Sequence, residues 1–210
     1  MNQNLKMIVF IVLVGLVTSA LLLGADALTK DRIELNREAK LKSAILDGFD
    51  VEYNFTNIHD VFDDEVLIEE EDGYTFYIHE TSNRVAYQFE GSGLWGPIVG
   101  ILTLESDFET IARVTILQQE ETPGLGGVVA ERPYLDNYVG VKMTPSIDVT
   151  KEGATEPNQV DAITGATGTS NAFEGILNAN YAEYSEAWEA YQGGQSWDGY
   201  ALSIKNGITF

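Results

Sequence analysis

Cysteine is absent from the 210 residues. That single absence excludes disulfides, iron–sulfur ligation, thioether attachment of haem and thiol nucleophiles. Histidine is nearly absent as well. His59 and His79 have no companion at ligand spacing, make a poor zinc or copper site, and read as surface or packing residues. No metal site is expected, so any redox group carried here is organic. Basic residues are scarce too, 12 Lys and Arg against 33 Asp and Glu, for a net charge of -21. A chain of that sign repels phosphate backbones, which argues against nucleic acid as a partner. The scarcity is uneven: residues 43–83 contain no Lys or Arg but include Asp60, Asp63, Asp64, Glu65, Glu69, Glu70, Glu71 and Asp72. Such a run reads as a solvated acidic face that a cationic partner surface could use. No internal repeat and no NADH-binding fingerprint is found.

What is present begins with an uncharged run. Residues 7–25, between Lys6 and Asp26, carry no charge and open with Met7-Ile8-Val9-Phe10-Ile11-Val12-Leu13-Val14. As a helix rising about 1.5 Å per residue, this run reaches roughly the 30 Å of a bilayer's hydrocarbon core. It reads as a membrane anchor, with a cleaved signal peptide as the rival because Leu23-Gly24-Ala25 is small enough for a cut. Lys6 precedes the span, while Lys30, Arg32, Arg37 and Lys40 follow it, so a simple charge count would leave the large domain in the cytoplasm. Long domains escape that rule and the lack of cysteine suits the outside, so the expectation is a single-pass protein of the inner membrane with its soluble domain on the outer face.

The chain divides into an anchor over residues 1–28, a juxtamembrane helix over 29–48, one domain over 49–192, and a loosely structured tail over 193–210. A hydrophobic fraction of 44% supports one folded domain of this size. Strand-like runs occur at Val66-Leu67-Ile68, Tyr74-Thr75-Phe76-Tyr77-Ile78 and Arg84-Val85-Ala86-Tyr87-Gln88-Phe89, and again over residues 98–104 and 111–117. Residues 133–142 read as a small helix-and-strand unit. A late apolar stripe of Phe173, Leu177, Tyr181, Tyr184, Trp188 and Tyr191 steps by three and four residues and predicts one strong helix. Strands followed by a helix make the fold α+β with a mainly antiparallel sheet.

Two glycine-rich loops lie at strand ends, Gly91-Ser92-Gly93-Leu94-Trp95-Gly96-Pro97 and Glu120-Glu121-Thr122-Pro123-Gly124-Leu125-Gly126-Gly127. Loops in that position build sites, and Trp95 and Leu125 could cover the faces of a flat ring, although tight turns alone would explain the glycines. A third stretch, Asp161-Ala162-Ile163-Thr164-Gly165-Ala166-Thr167-Gly168, precedes the late helix. Thr169, Ser170 or Asn171 is its natural N-cap, and the helix start favours an anion such as a phosphate near Thr167. Taken alone, this stretch reads more simply as a capped loop.

Together the three stretches resemble the family of FMN-binding subunits that carry flavin on a threonine, which includes the C subunit of the sodium-translocating NADH:quinone oxidoreductase and the G subunit of the Rnf ferredoxin:NAD oxidoreductase. The most specific element is Asp-x-x-(Ser/Thr)-Gly-Ala-Thr, matched here by Asp161, Thr164, Gly165, Ala166 and Thr167. The resemblance implies that a flavin transferase esterifies the phosphate of FMN to Thr167. It places Leu94 and Trp95 beside the flavin, and Thr122, Leu125 and Gly126 along its ring or ribityl chain. Glu121 would bond a ribityl hydroxyl or the loop itself, and Lys142 would pair with the phosphate or stay a solvated surface lysine. It further implies an electron carrier that works with other membrane subunits and is not catalytic alone, with the quinone-reductase C subunit ahead of the Rnf G subunit. A membrane-tethered, non-redox ligand-binding module and a freestanding flavoenzyme are the competing functions.

Overall fold

The computed structural model describes residues 2–205, and these fall into two compact units that part after Lys40. The segment before that point belongs to α1 (Gln3–Gly48), a helix of 46 residues long and apolar enough to cross a membrane. Its apolar side chains, such as Phe10, Leu21 and Leu22, are exposed. Thr18 and Thr29 return their hydroxyls to the carbonyls of Val14 and Ala25, which satisfies both donors within the helix. Anchor and juxtamembrane stretch are one unbroken helix.

The unit from Leu41 onward is built on a five-stranded antiparallel meander. After α2 (Ile58–Glu65) come β1 (Val66–Glu71), β2 (Tyr74–His79), β3 (Arg84–Ser92), β4 (Pro97–Leu104) and β5 (Ile111–Gln118), paired in chain order. Order follows sequence because each connection is a short turn. Between β1 and β2 the turn is Asp72-Gly73, with φ of 51° and 86°, the two-residue conformation whose twist suits a hairpin. Alternation along each strand then feeds two apolar layers. Ala86 and Ile101 face a layer made by Ile45 and Leu46 at the end of α1, Phe49, and Ile58 and Phe62 of α2. Val85, Tyr87, Phe89, Leu102 and Leu104 face the other layer, closed by α4 (Thr167–Lys205).

α4 carries the stripe expected from the sequence. Phe173 and Leu177 are fully buried, and Tyr181, Tyr184 and Trp188 pack beside them. Tyr184 stacks on Tyr87 with ring centres 4.0 Å apart, and Trp188 stacks on Phe108 at 4.9 Å. Each such ring contributes about 1.5–3 kcal/mol when fully buried, so this face holds the helix far more firmly than its propensity does. The loose tail expected from residue 193 is corrected as far as Lys205, because α4 continues to that point. Residues 206–210 of that tail lie outside the described residues.

Between β5 and α4 the chain forms α3 (Arg132–Leu135), a 3-10 turn at Asp136–Tyr138, and two three-residue strands, β6 (Asp148–Thr150) and β7 (Gln159–Asp161), that pair in parallel. The expected helix-and-strand unit ends in a single bridge between Lys142 and Thr110.

One side chain ties the layers at the far end of the sheet. Arg84 donates from Nε and Nη2 to both oxygens of Glu105, each at 3.0 Å, and from Nη1 to Asp50 at 2.6 Å and to the carbonyl of Gly48 at 3.1 Å. It thereby satisfies a carbonyl at the C-terminus of α1 that the helix cannot. A planar fork is needed for the paired contact. Arg84→Lys keeps the charge but not the fork, and should lower the stability of the full chain in detergent by roughly 1–3 kcal/mol, read from the denaturation midpoint. An unchanged midpoint would make the clamp ornamental.

Candidate functional site

Three turns meet at one end of the sheet. The first joins β3 to β4, where Gly93 donates to the carbonyl of Gly96 at 2.8 Å and presents Leu94 and Trp95 at the tip, 57% and 71% exposed. The second follows β5. There the carbonyl of Thr122 accepts from the N–H groups of Leu125 and Gly127, at 3.1 Å and 2.9 Å, and Gly124 takes a φ of 73°. Thr122 and Leu125 are exposed, while Gly126 is buried. The third turn joins β7 to α4 and reverses at Gly165, with a φ of 81°.

Glu121 holds the three together. It is 4% exposed, and its Oε1 accepts from the backbone N–H groups of Leu94 at 2.7 Å and Trp95 at 3.0 Å. Its Oε2 accepts from the hydroxyl of Thr169 at 2.7 Å. Its own N–H donates to Oε1 of Gln119 at 2.5 Å. A carboxylate out of water needs such donors, and bonds to a charged acceptor are among the stronger kinds. The approach is too close for side chains at neighbouring positions. A Cβ on Gly93 would lie 2.5 Å from Oε1 of Glu121, and one on Gly126 would lie 2.6 Å from Oε2 and collide with the Thr169 hydroxyl. Gly168 and Gly165 complete the convergence, their would-be Cβ atoms lying 3.2 Å from Leu94 and 3.5 Å from Leu125.

The start of α4 corrects the expected cap. The helix opens at Thr167, not beyond Thr169, Ser170 or Asn171. Two of those candidates are turned inward: Thr169 bonds Glu121, and Ser170 Oγ accepts from the N–H of Ile163 at 2.9 Å and donates to the carbonyl of Ala166 at 3.1 Å. The left-handed residue Gly165 lets the chain turn before Thr167, so buried hydroxyls serve the core and not the orphan N–H groups. Thr167 is left half-buried at the first helical position, where those N–H groups and the helix dipole favour an anion.

Other residues singled out from the sequence have structural duties. Asp161 accepts from the N–H of Ala154 at 2.6 Å and so fastens the 151–157 loop to β7. Thr164 is exposed within the turn and Ala166 is buried beneath it. Lys142 is committed elsewhere, its ammonium 3.3 Å from Glu109. Under the helix start, the hydroxyls of Tyr134 and Tyr138 lie 3.1 Å apart. Burial pushes both phenols up, well up for Tyr138, although the hydroxyls of Tyr138 and Ser170 partly oppose the rise at Tyr134; both phenols are neutral donors or acceptors. Sequence reasoning missed Gln119 and the inward role of Thr169. The one available signal was an acid beside a glycine-rich turn, with two hydroxyls following Thr167.

Exposed Leu94, Trp95 and Leu125 around a helix start suit a planar organic ring that carries a phosphate. The comparisons with known proteins agree. Residues 93–182 match the family described as the FMN-binding domain. The chain is similar to the C subunit of the Na(+)-translocating NADH-quinone reductase of Vibrio alginolyticus, 36% identical over 98 residues, covering 43% of this chain and 38% of that protein. It is also similar to the C subunit of that reductase from Yersinia pestis, 31% identical over 103 residues, covering 46% of this chain and 39% of that protein. The chain thus spans about two fifths of the length of these relatives. Among solved structures, NqrC of Shewanella oneidensis superposes with a TM-score of 0.62 at 20% identity, over 69% of this chain and 91% of that one. The C subunit of the same reductase from Parabacteroides distasonis gives 0.62 at 22%, over 73% and 94%. Those two likenesses establish a shared fold, α+β with a mainly antiparallel sheet and a late helix. The part of the chain that builds the site, residues 93–182, therefore belongs to the FMN-binding domain family.

Proposed function

We propose that Thr167 carries FMN as a phosphoester and that the chain is an electron-carrier subunit of a membrane-bound, ion-translocating NADH:quinone oxidoreductase. The observation that carries this reading is the Glu121 carboxylate, which binds the Leu94-Trp95 turn and Thr169 at once and so gathers three turns around the residue that opens α4. The similarity to C subunits supports the quinone reductase over the Rnf complex. In maturation, a flavin transferase would use FAD: the Thr167 oxygen bonds to the phosphorus of the FMN half, the pyrophosphate bond breaks, and AMP leaves with the hydroxyl proton passing to solvent.

When bound, FMN supplies reversible uptake and release of electrons; this chain supplies position. Thr167 tethers the phosphate, and the first-turn N–H groups of α4 lie at the end of the helix that stabilises its charge. Leu94, Trp95, Leu125 and Gly126 would border the ring or the ribityl chain, with Thr122 holding the loop that presents them. Covalent attachment prevents loss by dissociation where free flavin is scarce. The α1 helix would tether the subunit in the inner membrane beside its partner subunits, with the domain from Leu41 on the outer face, a side that suits a chain without cysteine.

Chain produced together with a flavin transferase should stay yellow after denaturation and gain the mass of one FMN unit, less water, on the peptide containing Thr167. Thr167→Ala should carry no covalent flavin, and a flavin still bound through a covalent link in that variant would falsify the assignment. Glu121→Gln tests the gathering of the turns separately. An amide keeps one acceptor oxygen for the N–H groups of Leu94 and Trp95 but removes the charge that strengthens those bonds and forces the Thr169 hydroxyl to turn from donor to acceptor. Stability should therefore fall by about 1–3 kcal/mol and the fraction of chains flavinylated should fall with it. Normal melting and full loading in that variant would mean the carboxylate has no part in shaping the site.

A further inference from the structure

The meander is not closed along its whole width. β2 and β3 pair at only three positions, Tyr77 with Ala86, Ile78 with Val85 and His79 with Arg84, whereas β1 pairs with β2 at all six of its residues and β3 with β4 at eight positions. Continued in register, Thr75 would face Gln88. Instead both line a cavity of about 610 Å³ between the two strands, backed by Asn180, Glu183 and Tyr184 of α4. The backbone N–H and C=O of Glu90 point away from β4 and are held by the side-chain amide of Asn180, at 3.3 Å and 3.0 Å. Two residues earlier, at Gln88, the alternation of a strand turns N–H and C=O the same way, toward the cavity.

Aromatic side chains flank the opening. Tyr184 lies between the strands' aromatic side chains, 5.5 Å from Phe76 of β2 and 4.0 Å from Tyr87 of β3. Burial, the neighbouring hydroxyls of Tyr77 and Tyr74 and the carboxylates of Glu183 and Glu90 push its own hydroxyl up to about 12. Tyr77 packs against the layer on the opposite face of the sheet, so the two tyrosines line the opening from either side. The cavity wall is also of one sign, with Glu90 and Glu183 and no Lys or Arg.

We propose that this split between β2 and β3 receives an extended, basic peptide segment of a partner protein, which adds as a strand to the edge at Gln88 and places a Lys or Arg side chain against Glu90 and Glu183. The backbone of Gln88 supplies a main-chain donor and acceptor of the kind strand addition uses, the side chain of Asn180 at Glu90 marks where the next pair would form, and the two carboxylates select the charge. The inference stands apart from the flavin reading: it needs neither Thr167 nor a cofactor.

The test uses full-length chain in neutral detergent and a fluorescent six-residue peptide alternating lysine and valine. Binding should be saturable, and hydrogen exchange at the Gln88 amide should be fast in the free chain and slow at least tenfold with peptide. A Glu90→Gln, Glu183→Gln double variant should bind at least tenfold more weakly with an unchanged melting curve. A peptide N-methylated at alternate residues, which keeps the charge but loses backbone donors, should bind at least tenfold more weakly to the unaltered chain. Equal binding of the methylated peptide, or full displacement by spermidine with no slowing at Gln88, would identify a site for small organic cations and overturn strand addition. A Gln88 amide already slow in the free chain, or no binding at all, would overturn it equally.

Discussion

A buried carboxylate with three donors is the constraint on which the candidate site depends. Glu121 is nearly sealed from water, so each of its oxygens must be met by a donor or the fold would bear several kcal/mol of unrelieved desolvation. Leu94, Trp95 and Thr169 provide those donors from two segments remote in sequence. One acid therefore sets the distance between a hairpin tip and a helix start. The glycines follow from it, because at Gly93 and Gly126 the carboxylate occupies the space a Cβ would need.

The same constraint explains why the helix begins where it does. Thr169 and Ser170 have the side chains of capping residues, yet both hydroxyls are spent on buried acceptors or donors in the core. Their inward turn leaves Thr167 as the first helical residue with its side chain half-buried. Had Thr169 capped the helix, Glu121 would have lost a donor and Thr167 would lie in a loop, away from the first-turn N–H groups that favour a phosphate.

Much of the fold was legible in the sequence because its signals are local. The five strands of the meander read as short apolar or alternating runs between polar turns, and the stripe from Phe173 to Trp188 follows the helical repeat. The elements that escaped are those whose cause is tertiary. α2 is eight residues long and polar on its outer side, and β6 and β7 are three residues each, stabilised by their mutual pairing and by Glu174, which accepts from the N–H of Val149. At the candidate site, the motif drew attention to Thr167, and the resemblance left Glu121 two possible partners, of which the bonds to Leu94 and Trp95 are those to a loop. Thr169 was misread because capping preference is a statement about the residue and its own helix, and cannot register an acid arriving from 48 residues away.

α4 connects the two features that local rules do not explain. Thr167 opens it and Tyr184 lies seventeen residues along it, about 26 Å at roughly 1.5 Å per residue. An occupant of the split between β2 and β3 would therefore not compete with a group at Thr167 for space. The helix would instead serve as a rigid spacer between a docking edge and a cofactor position, held by stacked rings along its length. That arrangement suits a carrier better than an independent catalyst, because a carrier's rate depends on holding its ring at a fixed distance and attitude from a neighbour. Were a basic strand to add at Gln88, the sheet itself would set the register of that neighbour.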